Sequence, residues 1–275
     1  MTYTSLMVHM DLGAPNTAVL RVAGELAERF GAEAIGVAAC QPLSIAVGDG
    51  YVPAELIAED RQEIEKEIKA AKDRFSAELE GRARSVQWRS AVSYGLPTDY
   101  IAQQARHADL VITVPGSAGA PFDTPQRVSV SDLVMRAGRP VLIVPDTGEQ
   151  DLGSALIGWK DTRETRRAVQ DALPLLRQAG RVVVAEIVSK DELEAARARL
   201  DDVAAWLKGH DVIAETLALA SNGDDAGRLD EIAREREAGL LVAGAYGHSR
   251  MREWAFGGVT RELLLRPARC TLLSH

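Results

Sequence analysis

Cysteine is nearly absent: Cys40 and Cys270 stand alone in 275 residues, one in each half, with no C-x-x-C. A disulfide framework or a thiolate zinc site is therefore excluded as the organising principle, and a reducing cytoplasm is the expected setting. Histidine is also sparse. His9, His107, His210, His248 and His275 are scattered, with no HExxH and no zinc-ligand spacing. Neither a G-x4-GK(S/T) phosphate loop nor a GxSxG nucleophile motif occurs. No apolar run approaches the ~20 residues of a membrane span. The N-terminus, MTYTSLMVHMDLG, lacks a basic region followed by a long apolar stretch, so it reads as a first strand and not as a signal peptide. Excess positive charge is missing too. The net charge is -8, which argues against broad binding of nucleic acid or of an anionic membrane surface.

What is present is a core and a repeat. Hydrophobic residues make up 46% of the chain, enough for a full interior. ADLVITV (108–114) and LVMRAGRPVLIV (133–144) match AGLLVAG (238–244) and LLLRPARCTLLS (263–274), both at an offset of 130 residues. Between the matched segments the second copy carries Gly244, Gly247, Gly257 and Gly258. The first copy has Val114, Ser117, Arg127 and Val128 in their place. Packing positions are kept while the glycines survive in one copy, so at most one phosphate-type site is expected.

The periodicity predicts strands at 5–10, 32–39, 86–95 and 108–114, with helices at 17–30, 54–84 and 97–106. The charge-dense 54–84 helix reads as a solvated face, which also accounts for its paired carboxylates without acid–base chemistry. The second half repeats the order. Strands fall at 154–159, 182–188, 212–219 and 238–244, and helices at 165–178, 191–207 and 230–237, with Pro174 ending or kinking the first of these. A polar stretch near 146–153 divides domains at 1–147 and 153–275. Each half is an α/β domain with five strands alternating with helices, which implies a doubly wound parallel sheet covered on both faces. Ligands of such sheets bind beyond the carboxyl ends of strands, where strand order reverses.

GAYGHSRMREWAFGGVTRELLLR carries a G-x2-G-x9-G spacing through Gly244, Gly247 and Gly257. It resembles the C-terminal signature of the universal stress proteins, and the strand and helix order of each half fits a tandem-domain member. The resemblance implies two five-stranded domains of the adenine nucleotide alpha hydrolase-like type, with strand order 3-2-1-4-5. It also implies an adenine nucleotide (ATP, ADP or AMP-like) held between the end of the first strand and the glycine loop, with Mg2+ entering only through the nucleotide. The family places Asp at the end of that strand and Ser or Thr after the last glycine; here Lys160 and Gly258 stand there. In the first half Asp11 is present but the glycines are not.

Projected onto the second half, the site comprises Gly158, Trp159, Lys160, Ile187, Ala243, Gly244, Gly247, His248, Ser249, Gly257, Gly258, Val259 and Thr260. Glycines allow close approach of backbone to a ligand, and a helix N-terminus favours an anion. Each residue also has a plainer role. Glycines make turns and close packing, Lys160 snorkels to solvent, Trp159 packs, and an Asp such as Asp11 caps a turn. His9 reads as a satisfied core residue. Two functions stay open: a cytoplasmic stress-response protein binding an adenine nucleotide in its C-terminal domain, or a structural or interaction protein of the same fold binding none. No catalytic residue or metal ligand is identified, so any ATPase activity would be weak. The apolar strands near 140–144 and 270–273 are expected to join the halves as an intramolecular pseudo-dimer, since an unpaired apolar edge is a hazard. A further homodimer is also expected.

Overall fold

The computed structural model describes residues 2–12, 14–42, 54–116, 128–147, 150–246 and 267–275. The chain divides into two compact units, Tyr3–Arg139 and Pro140–His275, the latter with Met1–Thr2.

In the first unit, β1 (Ser5–His9), β2 (Glu33–Cys40), β3 (Val86–Val92) and β4 (Leu110–Thr113) pair in parallel in the order β3-β2-β1-β4. Every residue of β1 is buried, as expected of a strand covered on both faces. Helix α1 (Thr17–Phe30) packs on α2 (Ala54–Leu79), and α3 (Pro97–Gln104) packs on α4 (Val130–Arg136). Helix α1 turns Val19, Val22, Ala23 and Leu26 to the core, while Phe30 at its end is half-buried. Helix α2 stops at Leu79, short of the predicted 84, because Gly81 takes a φ of 85°.

In the second unit, β6 (Ser154–Trp159), β7 (Arg181–Val188), β8 (Ala214–Ala220), β9 (Leu240–Gly244) and β10 (Cys270–Ser274) pair in parallel in the order β8-β7-β6-β9-β10. That is the expected 3-2-1-4-5. Strand β5 (Val141–Ile143) pairs antiparallel with β10, Val141 opposite Leu273 and Ile143 opposite Thr271, which joins the apolar strands near 140–144 and 270–273 as expected from the sequence. The two apolar terminal strands thus satisfy each other's edges.

Helix α5 (Arg163–Leu176) carries Pro174 in its last turn and runs two residues beyond it. Helices α6 (Leu193–Lys208) and α7 (Asp225–Glu235) follow β7 and β8. Helix α7 begins five residues before the predicted start. Asp224 caps it, accepting from the Gly227 N–H at 3.0 Å, and this overrides the low helix propensity of Gly227.

Alternation sorts the side chains of this sheet. Leu156, Val183, Ala185 and Leu241 face α7 and pack on Leu229, Ile232 and Ala233, with Ile187 against the same cluster. The intervening residues face the other way, where Glu186 of β7 meets Arg199 of α6.

Candidate functional site

Strand order in the second unit reverses at β6, which lies between β7 and β9. The carboxyl ends of these strands lie side by side: Gly158 is in register with Ala243 on one side and Ala185 on the other, and Trp159 with Glu186. The structure therefore gathers Gly158, Trp159, Lys160, Ile187, Ala243 and Gly244 at one edge of the sheet. It does not turn them all toward one space. Gly158 and Ile187 lie on the α7 face, whereas Trp159 lies on the face of α5 and α6. Gly247, His248, Ser249, Gly257, Gly258, Val259 and Thr260 lie outside the described residues, as do Ser117 and Arg127 of the first copy.

The glycines at this edge have packing partners. A Cβ on Gly244 would fall 2.5 Å from the Thr165 amide nitrogen, 2.7 Å from the Glu164 carbonyl carbon and 2.8 Å from Thr165 Oγ1. The close approach that Gly244 permits is therefore that of the first turn of α5. A Cβ on Gly158 would meet Leu229 Cδ2 at 3.1 Å, so that glycine makes room for α7.

The start of α5 is also built from within. Thr162 caps it, its hydroxyl accepting from the Thr165 N–H at 3.3 Å. Glu164 is buried, its side chain 4% exposed, beside that cap. Burial alone would raise its carboxyl pKa. Hydrogen bonds from Arg163, from its own backbone N–H and from Thr162, together with the Arg163 charge, outweigh burial and hold it below the ordinary 4.5. A carboxylate is thus already seated where the amides of a helix N-terminus favour negative charge.

Lys160 is exposed and has no ion-pair partner among the described residues, as a snorkelling lysine would be. Asp161 pairs with Arg166 at 2.6 Å. Beside these residues, between α5 and α6, lies a cavity of about 400 Å³ walled by Trp159, Arg166, Arg199, Asp202 and Trp206. Glu186, with its side chain 5% exposed, accepts three bonds from the Arg199 guanidinium, Nη2 to Oε1 at 2.9 Å, and Nε to Oε1 at 3.2 Å and to Oε2 at 3.3 Å. Sequence reasoning missed this cavity. The available signal was Glu186 itself, an acidic residue inside the apolar run VVVAEIV, which needs a cation from a neighbouring helix.

In the first unit His9 is buried at the end of β1 and its Nδ1 lies 2.8 Å from Thr113 Oγ1 on β4, a satisfied core histidine. Burial lowers its pKa below 6.5, and the Asp11 charge opposes that shift without reversing it. The turn after β1 is closed by Asn16, whose side chain accepts from the Asp11 N–H at 3.0 Å and donates to the Asp11 carbonyl at 2.7 Å. Among the described residues no group of His, Cys, Asp and Glu could hold a metal ion, and no helix is long and apolar enough to cross a membrane.

Residues 2–145 match the model of the universal stress protein family. Among solved structures, a universal stress protein from Archaeoglobus fulgidus is 13% identical with a TM-score of 0.75, over 98% of this chain and 95% of that one. A protein from Pseudomonas aeruginosa UCBPP-PA14, provisionally assigned to the same family, is 16% identical with a TM-score of 0.63, over 99% and 93% of the two chains. A functionally unknown protein from Pseudomonas aeruginosa PAO1 is 15% identical with a TM-score of 0.60, over 99% and 92%. At these identities the likeness is one of fold. No curated protein matches the sequence.

Proposed function

The chain belongs to the universal stress protein family, and on that premise we propose that it is a tandem member, with repeats 1–147 and 153–275, that binds an adenine nucleotide in its C-terminal repeat. The observation that carries this reading is the switch point at β6. The ends of β6 and β9 meet in register there, and β9 runs directly into the sequence G-x2-G-x9-G. In this reading the phosphates lie on amides of Gly247 to Ser249 and Gly258 to Thr260. The base lies near the ends of β6 and β7, and Mg2+ enters only with the phosphates. The first repeat serves as scaffold, because Val114, Ser117 and Arg127 replace its glycines. Pairing of β5 with β10 supports a pseudo-dimer of the two repeats.

Calorimetric titration with ATP, with and without magnesium, tests the site. Gly247→Val abolishes binding by filling the phosphate space. Gly258→Ser adds a hydroxyl donor and strengthens binding about five-fold, since one neutral hydrogen bond is worth ~1 kcal/mol. No heat with wild type or Gly258→Ser, and no nucleotide released from the denatured protein, overturns the proposal.

A second reading, an interaction protein that binds no nucleotide, draws support from one observation. Both the close-approach space at Gly244 and the anion seat at α5 are taken by the protein's own Thr165 and Glu164.

A further inference from the structure

We propose a second ligand site in the second unit: the cavity between α5 and α6 binds a planar, amino-substituted heteroaromatic compound that carries no anionic group. The volume of about 400 Å³ suits a ligand of one or two fused rings with room for substituents. Two indoles, Trp159 from the end of β6 and Trp206 from α6, belong to its wall. Trp206 is 39% exposed, an unusual position for tryptophan, and His210 one turn later holds its ring at a centroid distance of 4.3 Å. A ring fixed before the ligand arrives loses little entropy on stacking.

Charge decides the ligand class. Both arginines of the wall are already neutralised, Arg166 by Asp161 at 2.6 Å and Arg199 by Glu186 at 2.9 Å. Asp202 has no ion-pair partner among the described residues, so the one lining charge left uncompensated is negative. Negative charge and indole faces disfavour an aromatic carboxylate or phosphate and favour an amino group against Asp202. Trp159 Nε1 is buried and has no hydrogen-bond partner, a standing cost that a small tilt of the ring removes once a ligand offers a ring nitrogen. The site does not rest on the glycine sequence after β9. Trp159 faces away from Gly158 and Ile187, and no wall residue comes from β9.

The test uses the full chain and 2-aminopurine riboside, a fluorescent heteroaromatic with a ring acceptor, an amino group and no charge. Stacking on indole quenches it, so titration with protein reads occupancy directly. Saturable quenching is expected with a dissociation constant of about 0.1–1 mM, the range for a ligand of this size. Trp206→Ala weakens binding at least five-fold, the lower end for loss of one base–aromatic stack. Its exposed position keeps the fold intact, which circular dichroism checks. Trp159→Phe, which keeps a ring and removes the N–H, weakens binding about three- to ten-fold. Indole-3-acetate, flat but anionic, does not compete. Gly247→Val leaves the quenching unchanged, which separates this site from the nucleotide site proposed above. No saturable quenching by the wild type overturns the proposal. So does full retention by Trp206→Ala, or loss of the signal in Gly247→Val together with displacement by ATP.

Discussion

Substituting alanine for Gly244 separates the two roles a glycine at the end of β9 can have. The added Cβ would lie 2.5 Å from the Thr165 amide nitrogen and 2.7 Å from the Glu164 carbonyl carbon, and ordinary contact begins at 3.4 Å. The nearest atoms must therefore recede by about 0.9 Å, and they are backbone atoms of a helix N-terminus. No rotamer change relieves this. Helix α5 must translate, and it packs on β6, β9 and β10 at once. Overpacking of this kind costs typically ~1–3 kcal/mol. For a chain of this length each kcal/mol lowers the melting temperature by ~2–4 °C, so a drop of roughly 3–10 °C is expected. Gly158→Ala is the internal control, because its Cβ meets the movable Leu229 Cδ2 at 3.1 Å and should cost under ~1 kcal/mol. Urea unfolding of the wild type and both variants, followed by circular dichroism, gives the comparison. If Gly244→Ala unfolds at the wild-type midpoint, α5 does not rest on that glycine, and the packing account of the site edge fails.

Glu164 has a folded pKa below 4.5, so its contribution is present above that pH and is lost as pH falls through the folded value. Wild type should lose more stability than Glu164→Gln between about pH 5 and 3, and equal losses in acid urea titrations would refute the cap account. His9 has a folded pKa below 6.5, so the unfolded chain takes up its proton first and stability falls as pH drops below about 6.5. His9→Gln should flatten that slope while losing ~1 kcal/mol at pH 7 for the bond to Thr113, and an unchanged pH dependence of unfolding would argue against a buried neutral imidazole. Asp224→Ala should cost ~1 kcal/mol and fray the first turn of α7, visible as faster amide exchange at Gly227; unchanged exchange would mean that the cap does not hold this turn.

Much of the fold was legible because local signals and global packing agreed. Alternation of short apolar runs with amphipathic helices located β1, α1, β6 and β9 to within a residue or two, whereas the strand order came from the family resemblance carried by the glycine spacing. Boundaries slipped where one residue overrode the pattern: Gly81 stopped α2 early, and Asp224 started α7 early despite Gly227 in its first turn. The site was less legible because spacing shows that a glycine is needed, not what approaches it. Gly244 reads the same in sequence whether a phosphate or a helix turn fills the space beside it. Only the positions of Glu164 and Thr165, eighty residues earlier in the chain, decide for the helix. The cavity beside Trp159 was hidden for a related reason. Its walls come from β6, α5 and α6, each of which explains its own residues locally, and only Glu186, charged within an apolar strand, lacked a local explanation. A charge inside a buried strand must find its counter-charge on whatever packs above it. Arg199 supplies that charge from α6, and the same helix carries Trp206 to the cavity. The unexplained acid, more than the glycine motif, was therefore the sequence's pointer to a concave surface between α5 and α6.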